Sequence, residues 1–337
     1  MKLLKKALLI GLWISIFLIW AIGGLFYFQS SNPASETPRR VIFKISRGMT
    51  LKQVAYALAD NELIRSPSSF RLVAYIQNKQ SKIQAGEFKL SPSMTPLELL
   101  NHITSGHTIL HSITIPEGYQ IREIATVLEK RGLANLETFI AETRNENLID
   151  MLHIPGQSLE GYLFPDTYYF NKGITEKTIV KTMVDNFIQK VLKANYVHRA
   201  KERNMSFHQI ITLASIIEKE TGQAREREII SAVFHNRIKK KMRLQSDPTV
   251  IYSLPNYNGN IHKKDLSYDS PYNTYRYSGL PPGPIANPGL HSIQAALYPS
   301  NVSYLYFVSR QNGSHQFSNN LKDHNRAVRK YQLKKRG

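Results

Sequence analysis

Residues 45–64 read ISRGMTLKQVAYALADNELI and residues 115–134 read IPEGYQIREIATVLEKRGLA; the two align without a gap at an offset of 70. Ile45 meets Ile115, Gly48 meets Gly118 and Leu51 meets Ile121, while Val54, Ala55, Leu58 and Leu63 meet Ile124, Ala125, Leu128 and Leu133. Each copy begins with alternating apolar residues (Val41, Phe43, Ile45; Ile113, Ile115), which is strand spacing. A glycine follows, and then apolar residues recur at the three-and-four spacing of a helix. Residues 88–106, FKLSPSMTPLELLNHITSG, repeat the strand–turn–helix order as a partial third copy. Units this short bury a helix stripe against one face of a small sheet, so the predicted class is α+β.

Outward from the repeat, residues 29–40 are polar, carry two prolines and have no period, which predicts a linker. Before it, residues 7–28 (ALLIGLWISIFLIWAIGGLFYF) contain no charge. As a helix they reach about 33 Å, enough for the hydrocarbon core of a bilayer. Phe26, Tyr27 and Phe28 close the run where an interfacial aromatic belt belongs, and Trp13 and Trp20 lie within it. Lys2, Lys5 and Lys6 in residues 1–6 assign the N-terminus to the cytoplasm, so everything from Gln29 onward is predicted to lie outside it. A cleaved signal peptide is the alternative, but its apolar region usually spans about 7–15 residues. The longer run favours a single-pass anchor in the cytoplasmic membrane.

The whole chain has 337 residues, 44 Lys+Arg against 25 Asp+Glu, a net charge of +19 and no cysteine. That length suits about two domains. The missing cysteines exclude a disulfide scaffold, a thiol enzyme and Cys-ligated zinc or iron–sulfur centres. So cationic a chain calls for an anionic partner. A body outside the cytoplasm disfavours nucleic acid and points to a wall polymer bearing carboxylates or phosphates; most of the cations read equally well as solvated surface. HExxH, GxxxxGK[ST] and GxGxxG are all absent, and the 11 histidines show no ligand spacing. No metal and no cofactor is predicted.

Two stretches carry candidate chemistry. Residues 159–170 (LEGYLFPDTYYF) set five aromatics beside Glu160 and Asp166, a composition that lines sugar clefts, although the same rings would also fill a core around a capped turn. Residues 206–222 (SFHQIITLASIIEKETG) predict a helix with Ser206 as N-cap and Gly222 as stop. Glu218 and Glu220 fall in its last turn on opposite margins of the apolar face. There the negative helix end and apolar neighbours both oppose ionisation, which is what a general acid for glycoside cleavage requires. The helix alone equally suits two solvated glutamates. Downstream, residues 270–289 form a Pro/Gly/Tyr/Asn loop too irregular to be core, with Tyr272, Asn273, Tyr275 and Tyr277 offering rings and an amide to an oligosaccharide.

The unit from residue 41 to about 106 resembles LysM-type modules, which implies binding of a glycan chain. Residues 160–166 (EGYLFPD), 214–221 (ASIIEKET), 242–252 (MRLQSDPTVIY), 272–275 (YNTY), 279–288 (GLPPGPIANP) and 304–308 (YLYFV), in that order, resemble the MltG (YceG-like) endolytic murein transglycosylases. The resemblance implies an enzyme that cuts peptidoglycan strands internally, between N-acetylmuramic acid and N-acetylglucosamine, without water. It places the catalytic carboxyl at Glu220, the second glutamate of the EKET sequence. Gln245, Asp247, Asn273 and Tyr275 are then the candidates for positioning sugar groups. Glu160 and Asp166 are candidates for cleft wall or loop support, and Glu218 is a neighbouring candidate. The implied organisation is a membrane helix over 7–28, a linker over 29–40, a LysM-like repeat module over 41–135 and a catalytic domain over 136–337. The expected partners are glycan strands, the membrane and, by proximity, membrane-bound peptidoglycan synthases. A water-using hydrolase with Asp247 or Glu160 as second carboxylate, and a wall-binding scaffold without catalysis, are the alternatives.

Overall fold

The computed structural model describes residues 2–220, 222–255 and 257–333. Thr221 of the EKET sequence lies outside the described residues, as do Lys335 and Arg336, where the sequence predicts the end of a basic C-terminal helix. Among the described residues the architecture is mixed α+β: helices with three two-stranded sheets, in two compact units.

The first unit comprises the residues up to Ser112 together with Tyr169–Ile174. It begins with α1 (Lys2–Ser31), whose stretch Ile10–Ser31 is long and apolar enough to cross a membrane. Then come β1 (Val41–Ile45), α2 (Leu51–Asp60), α3 (Pro67–Ile76), β2 (Gly86–Leu90) and α4 (Pro96–Thr104). β1 and β2 pair antiparallel with Phe43 opposite Phe88 and Ile45 opposite Gly86, so alternate residues enter a common core. Val54, Leu58, Phe70, Leu99 and Ile103 complete that core from the helices.

β3 (His111–Thr114) continues the chain into the second unit, Ile113–Tyr168 plus the residues from Thr175 onward. There α5 (Ile121–Lys130), α6 (Leu136–Glu142) and α7 (Glu146–Met151) precede β4 (Thr167–Phe170), which pairs with β3. α8 (Glu176–Lys190), α9 (Ala194–Glu202), α10 (Phe207–Glu220), α11 (Arg227–Lys239), α12 (Asp247–Ser253) and α13 (Leu290–Leu297) follow. The chain closes with the antiparallel pair β5 (Tyr306–Ser309) and β6 (His315–Ser318), α14 (Leu321–Val328) and a π-helical turn, Arg329–Leu333.

The repeat is visible as matched local chemistry. α2 and α4 each open with a reciprocal capping pair, Thr50–Gln53 and Thr95–Glu98, and at the start of α5 the Glu123 carboxylate accepts in the same way from the Gln120 amide. The aligned glycines Gly48 and Gly118 share a left-handed backbone, φ +80° and +78°, which explains why both copies keep glycine before the helix.

α10 is the axis of the second unit: Ile210, Ile211, Leu213, Ala214, Ile216 and Ile217 are fully buried against α13, α11, α9 and α12. Ser206 caps it as expected, accepting from the Gln209 amide. Residues 161–163 lock onto the proline loop: Gly161 and Leu163 donate their amides to Asn287 Oδ1. Gly161 has φ +90°, and a Cβ there would lie 2.5 Å from Pro284 Cγ, so the EGYLFPD stretch needs glycine at that point.

Candidate active site

α10 ends at Glu220. Within the second unit its carboxyl opens into a cavity of about 470 Å³, whose lining includes Arg237, Gln245, Asp247, Tyr275, Phe307, His315 and His324. Four residues expected from the sequence, Glu220, Gln245, Asp247 and Tyr275, therefore meet in one place although they come from three separate stretches.

Each is set by local structure. Ser246 is the N-cap of α12 and is 1% exposed; its hydroxyl donates to Glu220 Oε1 at 2.5 Å. The Ser246 amide donates to Thr274 Oγ1, and Thr249 bonds both Thr274 Oγ1 and the Ser246 carbonyl. This closed buried network fixes the hydroxyl that fixes the acid. Gln245, just before it, holds a left-handed backbone at φ +53°, a conformation rare for a side-chain-bearing residue and typical of over-determined functional loops. Asp247 Oδ1 accepts from the Tyr275 hydroxyl at 2.5 Å, which orients both groups at the rim.

Arg237 underlies the cavity. Only 7% exposed, it donates to the carbonyls of Leu305 (2.7 Å), Leu244 (2.7 Å) and Arg243 (3.2 Å), and its guanidinium lies over the Tyr306 ring. His315 is held through Nδ1 by the buried Glu226 at 2.7 Å. Burial pushes the Glu220 carboxyl up to about 7, and the nearby Asp247 adds to the shift. The Ser246 hydrogen bond and the Arg237 cation pull the other way. Glu220 is thus a carboxyl that carries its proton up to near-neutral pH while facing a cavity.

The remaining candidates lie elsewhere and hold structure. Asn273 is fully buried: Nδ2 donates to the carbonyls of Leu266 and Tyr268, and Oδ1 accepts from the Tyr275 amide. It shapes the loop that presents Tyr275. Glu160 accepts from the Ile121 amide and from Asn287 Nδ2 in a buried setting. Asp166 Oδ2 accepts from Lys190 and Asn186, and Oδ1 from the Thr167 amide; these bonds outweigh burial and hold its carboxyl below its usual value. Glu218 accepts from the Gly289 amide, with Arg227 at 3.6 Å. None of the four lines the cavity. Conversely, Ser246, Arg237 and His315 were not singled out from the sequence. Arg237 had a signal, since it follows Ile230, Val233 and Phe234 at i, i+3, i+4 and i+7 on an apolar helix face.

The geometry of Glu160 fixes a stability prediction. Desolvation raises its carboxyl from an ordinary 4.5 to about 8. The folded chain then binds a proton that the unfolded chain releases, so between those values stability falls as pH rises, and above about 8 the loss is complete. Glu160→Gln keeps the oxygen that accepts from Ile121 and Asn287 but cannot ionise. Its melting temperature is expected to be flatter from pH 5 to 9, and higher than wild type above pH 8. An unchanged slope in the variant counts against a neutral buried Glu160.

Comparison with known proteins gives a consistent set. The model of the YceG-like family matches residues 43–330. A protein of Bacillus subtilis (strain 168) named endolytic murein transglycosylase is 38% identical over 331 residues, covering 92% of this chain and 91% of that protein. A Streptococcus pneumoniae protein (serotype 2, strain D39) of the same name is 30% identical over 362 residues, covering 96% of this chain and 65% of its own length. The crystal structure of a yceG-like protein from Listeria monocytogenes superimposes with a TM-score of 0.59 at 32% identity, covering 85% of this chain and 98% of that one.

Proposed function

The chain belongs to the YceG-like family, and from that premise we propose that Glu220 serves as both acid and base in an endolytic murein transglycosylase acting on peptidoglycan. The observation that carries this reading is a carboxyl raised to about 7 and held by Ser246 at a cavity. With Ser246 donating to Oε1, the proton of the neutral acid sits on Oε2, the oxygen left for substrate.

In the first step Glu220 gives this proton to the glycosidic oxygen; the bond from C1 of N-acetylmuramic acid to that oxygen breaks, leaving an oxocarbenium-like centre and the alcohol of the departing sugar. In the second, the muramic acid's own C6 hydroxyl attacks C1, and its proton passes to the Glu220 carboxylate. The acid is regenerated, no water is consumed, and the new end is a 1,6-anhydro sugar. An intramolecular nucleophile already close to C1 replaces the second carboxylate that a hydrolase needs. Asp247 with Tyr275, and Gln245, are suited to bonding hydroxyl and N-acetyl groups at the rim.

The β1–α2–α3–β2 arrangement supports a LysM-like role in gripping glycan. We read α1 as a single-pass anchor with its N-terminus in the cytoplasm and the body outside it, close to newly made strands and to the synthases that make them. Asp247 in the same cavity favours the hydrolase as the rival chemistry. Mass spectrometry of purified glycan strands treated with the full chain separates the readings. Internal fragments ending in 1,6-anhydromuramic acid are expected. Fragments heavier by one water point to hydrolysis, and intact strands that remain bound point to a scaffold.

The pH profile tests the protonation state. Activity is expected to fall about tenfold per pH unit above the Glu220 value near 7, because the acid must start protonated. Ser246→Ala removes a bond that stabilises the carboxylate, so this limb moves to higher pH while the maximal rate drops. A limb that stays in place separates Ser246 from the acid.

A further inference from the structure

α3 reads PSSFRLVAYI and carries apolar side chains on two faces, with Ser69 and Arg71 between them. Phe70 and Ala74 are fully buried in the core of the first unit, yet on the outer face Leu72, Tyr75 and Ile76 are 44%, 52% and 66% exposed. Their i, i+3, i+4 spacing makes one continuous stripe, unlike the scattered exposed apolar side chains of ordinary surfaces. A helix apolar on both sides has a second apolar phase to meet.

Contacts with α1 identify that phase. Ser69, in the first turn of α3, donates to Gln29 Oε1 at 3.0 Å, one residue beyond the uncharged run that ends at Phe28. Arg65, just before α3, sits with its guanidinium 5.1 Å from the centre of the Phe28 ring and donates to the Pro33 carbonyl. Phe26 and Gln29 are partly covered while Tyr27 is 71% exposed, so α3 and α4 lie alongside the last turns of α1 rather than beyond its end. The level at which α3 begins is therefore the aromatic end of the apolar run.

We propose that the Leu72–Tyr75–Ile76 face of α3 is a membrane-surface contact, seated in the headgroup region of the leaflet from which α1 emerges. Three features fit a lipid surface. The stripe is aliphatic with one tyrosine, which suits a depth where one end of a ring is apolar and the other wet. Arg65 and Lys82 flank the helix as exposed cations, complementary to anionic headgroups. Continuity with α1 brings the stripe to the bilayer without any further partner. The consequence is a tether with two points of contact, which restricts the tilt of the first unit over the membrane. This rests on reading α1 as the membrane anchor, and the experiment keeps the two apart.

The chain has no cysteine, so single-cysteine variants can be labelled without background. Phe17→Cys reports on the span, Leu72→Cys and Ile76→Cys on the stripe, and Tyr56→Cys on an exposed site of α2. Each full-length variant is labelled with a polarity-sensitive fluorophore and reconstituted into phosphatidylcholine vesicles containing phosphatidylglycerol. Labels at 17, 72 and 76 are expected to be blue-shifted and quenched by doxyl-labelled lipid, with 72 and 76 responding best to a shallow doxyl group. The label at 56 is expected to be quenched by aqueous iodide alone. If 17 is quenched by lipid while 72 and 76 behave like 56, the surface contact is overturned and the anchor stands. If 17 also escapes lipid, the anchor fails and the contact falls with it. Shielding of 72 and 76 from both quenchers that grows with the protein-to-lipid ratio means a second copy covers the stripe, and the proposal is overturned.

Discussion

Glu220→Gln is expected to yield a folded protein that leaves glycan strands uncut. One group is asked both to protonate the leaving oxygen and to deprotonate the attacking hydroxyl, and an amide does neither; the expected loss is on the order of 10³–10⁴-fold. The fold should survive because glutamine retains an oxygen for the Ser246 hydroxyl, which now contacts Glu220 Oε1. The sign of the stability change is also fixed. Burial makes the ionised Glu220 costly, so above pH 7 the variant is expected to melt at the same temperature as wild type or higher. Glu218→Gln is the paired control. Its carboxyl meets the Gly289 amide and Arg227, away from the cavity, and activity should stay within a few-fold of wild type. Fragment yield by mass spectrometry and circular dichroism measure both. Equal losses from the two changes would remove Glu220 from its assigned role, and an unfolded Glu220→Gln would make the residue structural.

What the sequence disclosed, and what it concealed, follow from the reach of the interactions. The helix ending at Glu220, its Ser206 cap and the strand–glycine–helix repeat are local, and spacing alone predicts them. Within the MRLQSDP stretch, Gln245 and Asp247 stood out as polar groups able to meet sugar. The serine between them makes the bond to Glu220, because the turn that begins α12 directs the N-cap hydroxyl inward; that direction depends on Thr274, 28 residues downstream. Asn273, Glu160, Asp166 and Glu218 were legible as unusual polar residues in apolar company. Whether such a residue faces a cavity or satisfies buried backbone depends on partners as far as 127 residues away, such as Asn287 for Glu160, or 71, such as Gly289 for Glu218, and no local pattern encodes that.

Arg237→Met tests how far the proposed active site depends on this long-range wiring. The guanidinium bridges three carbonyls, of Leu305 in the approach to β5 and of Arg243 and Leu244 in the approach to α12. Methionine fills similar volume but donates nothing, so three carbonyls lose their partner, that of Leu244 in a buried setting and those of Leu305 and Arg243 in partly buried ones. Removing the desolvated cation offsets part of this, and a net destabilisation of about 3 kcal/mol is expected. It is read as a lower urea midpoint at unchanged m-value. Activity should fall beyond what the folded fraction explains, because Gln245 and Ser246 hang from the segment that Arg237 ties down. The surviving activity carries a second signature. Arg237 lowers the Glu220 value, so its loss should shift the alkaline limb to still higher pH. Arg237→Lys separates charge from fork: an ammonium restores the limb but cannot span three carbonyls, so stability remains low. If Arg237→Met unfolds at the wild-type midpoint, the carbonyl bridge contributes nothing to the fold, and the cavity floor must be held by β5 and α14 packing alone.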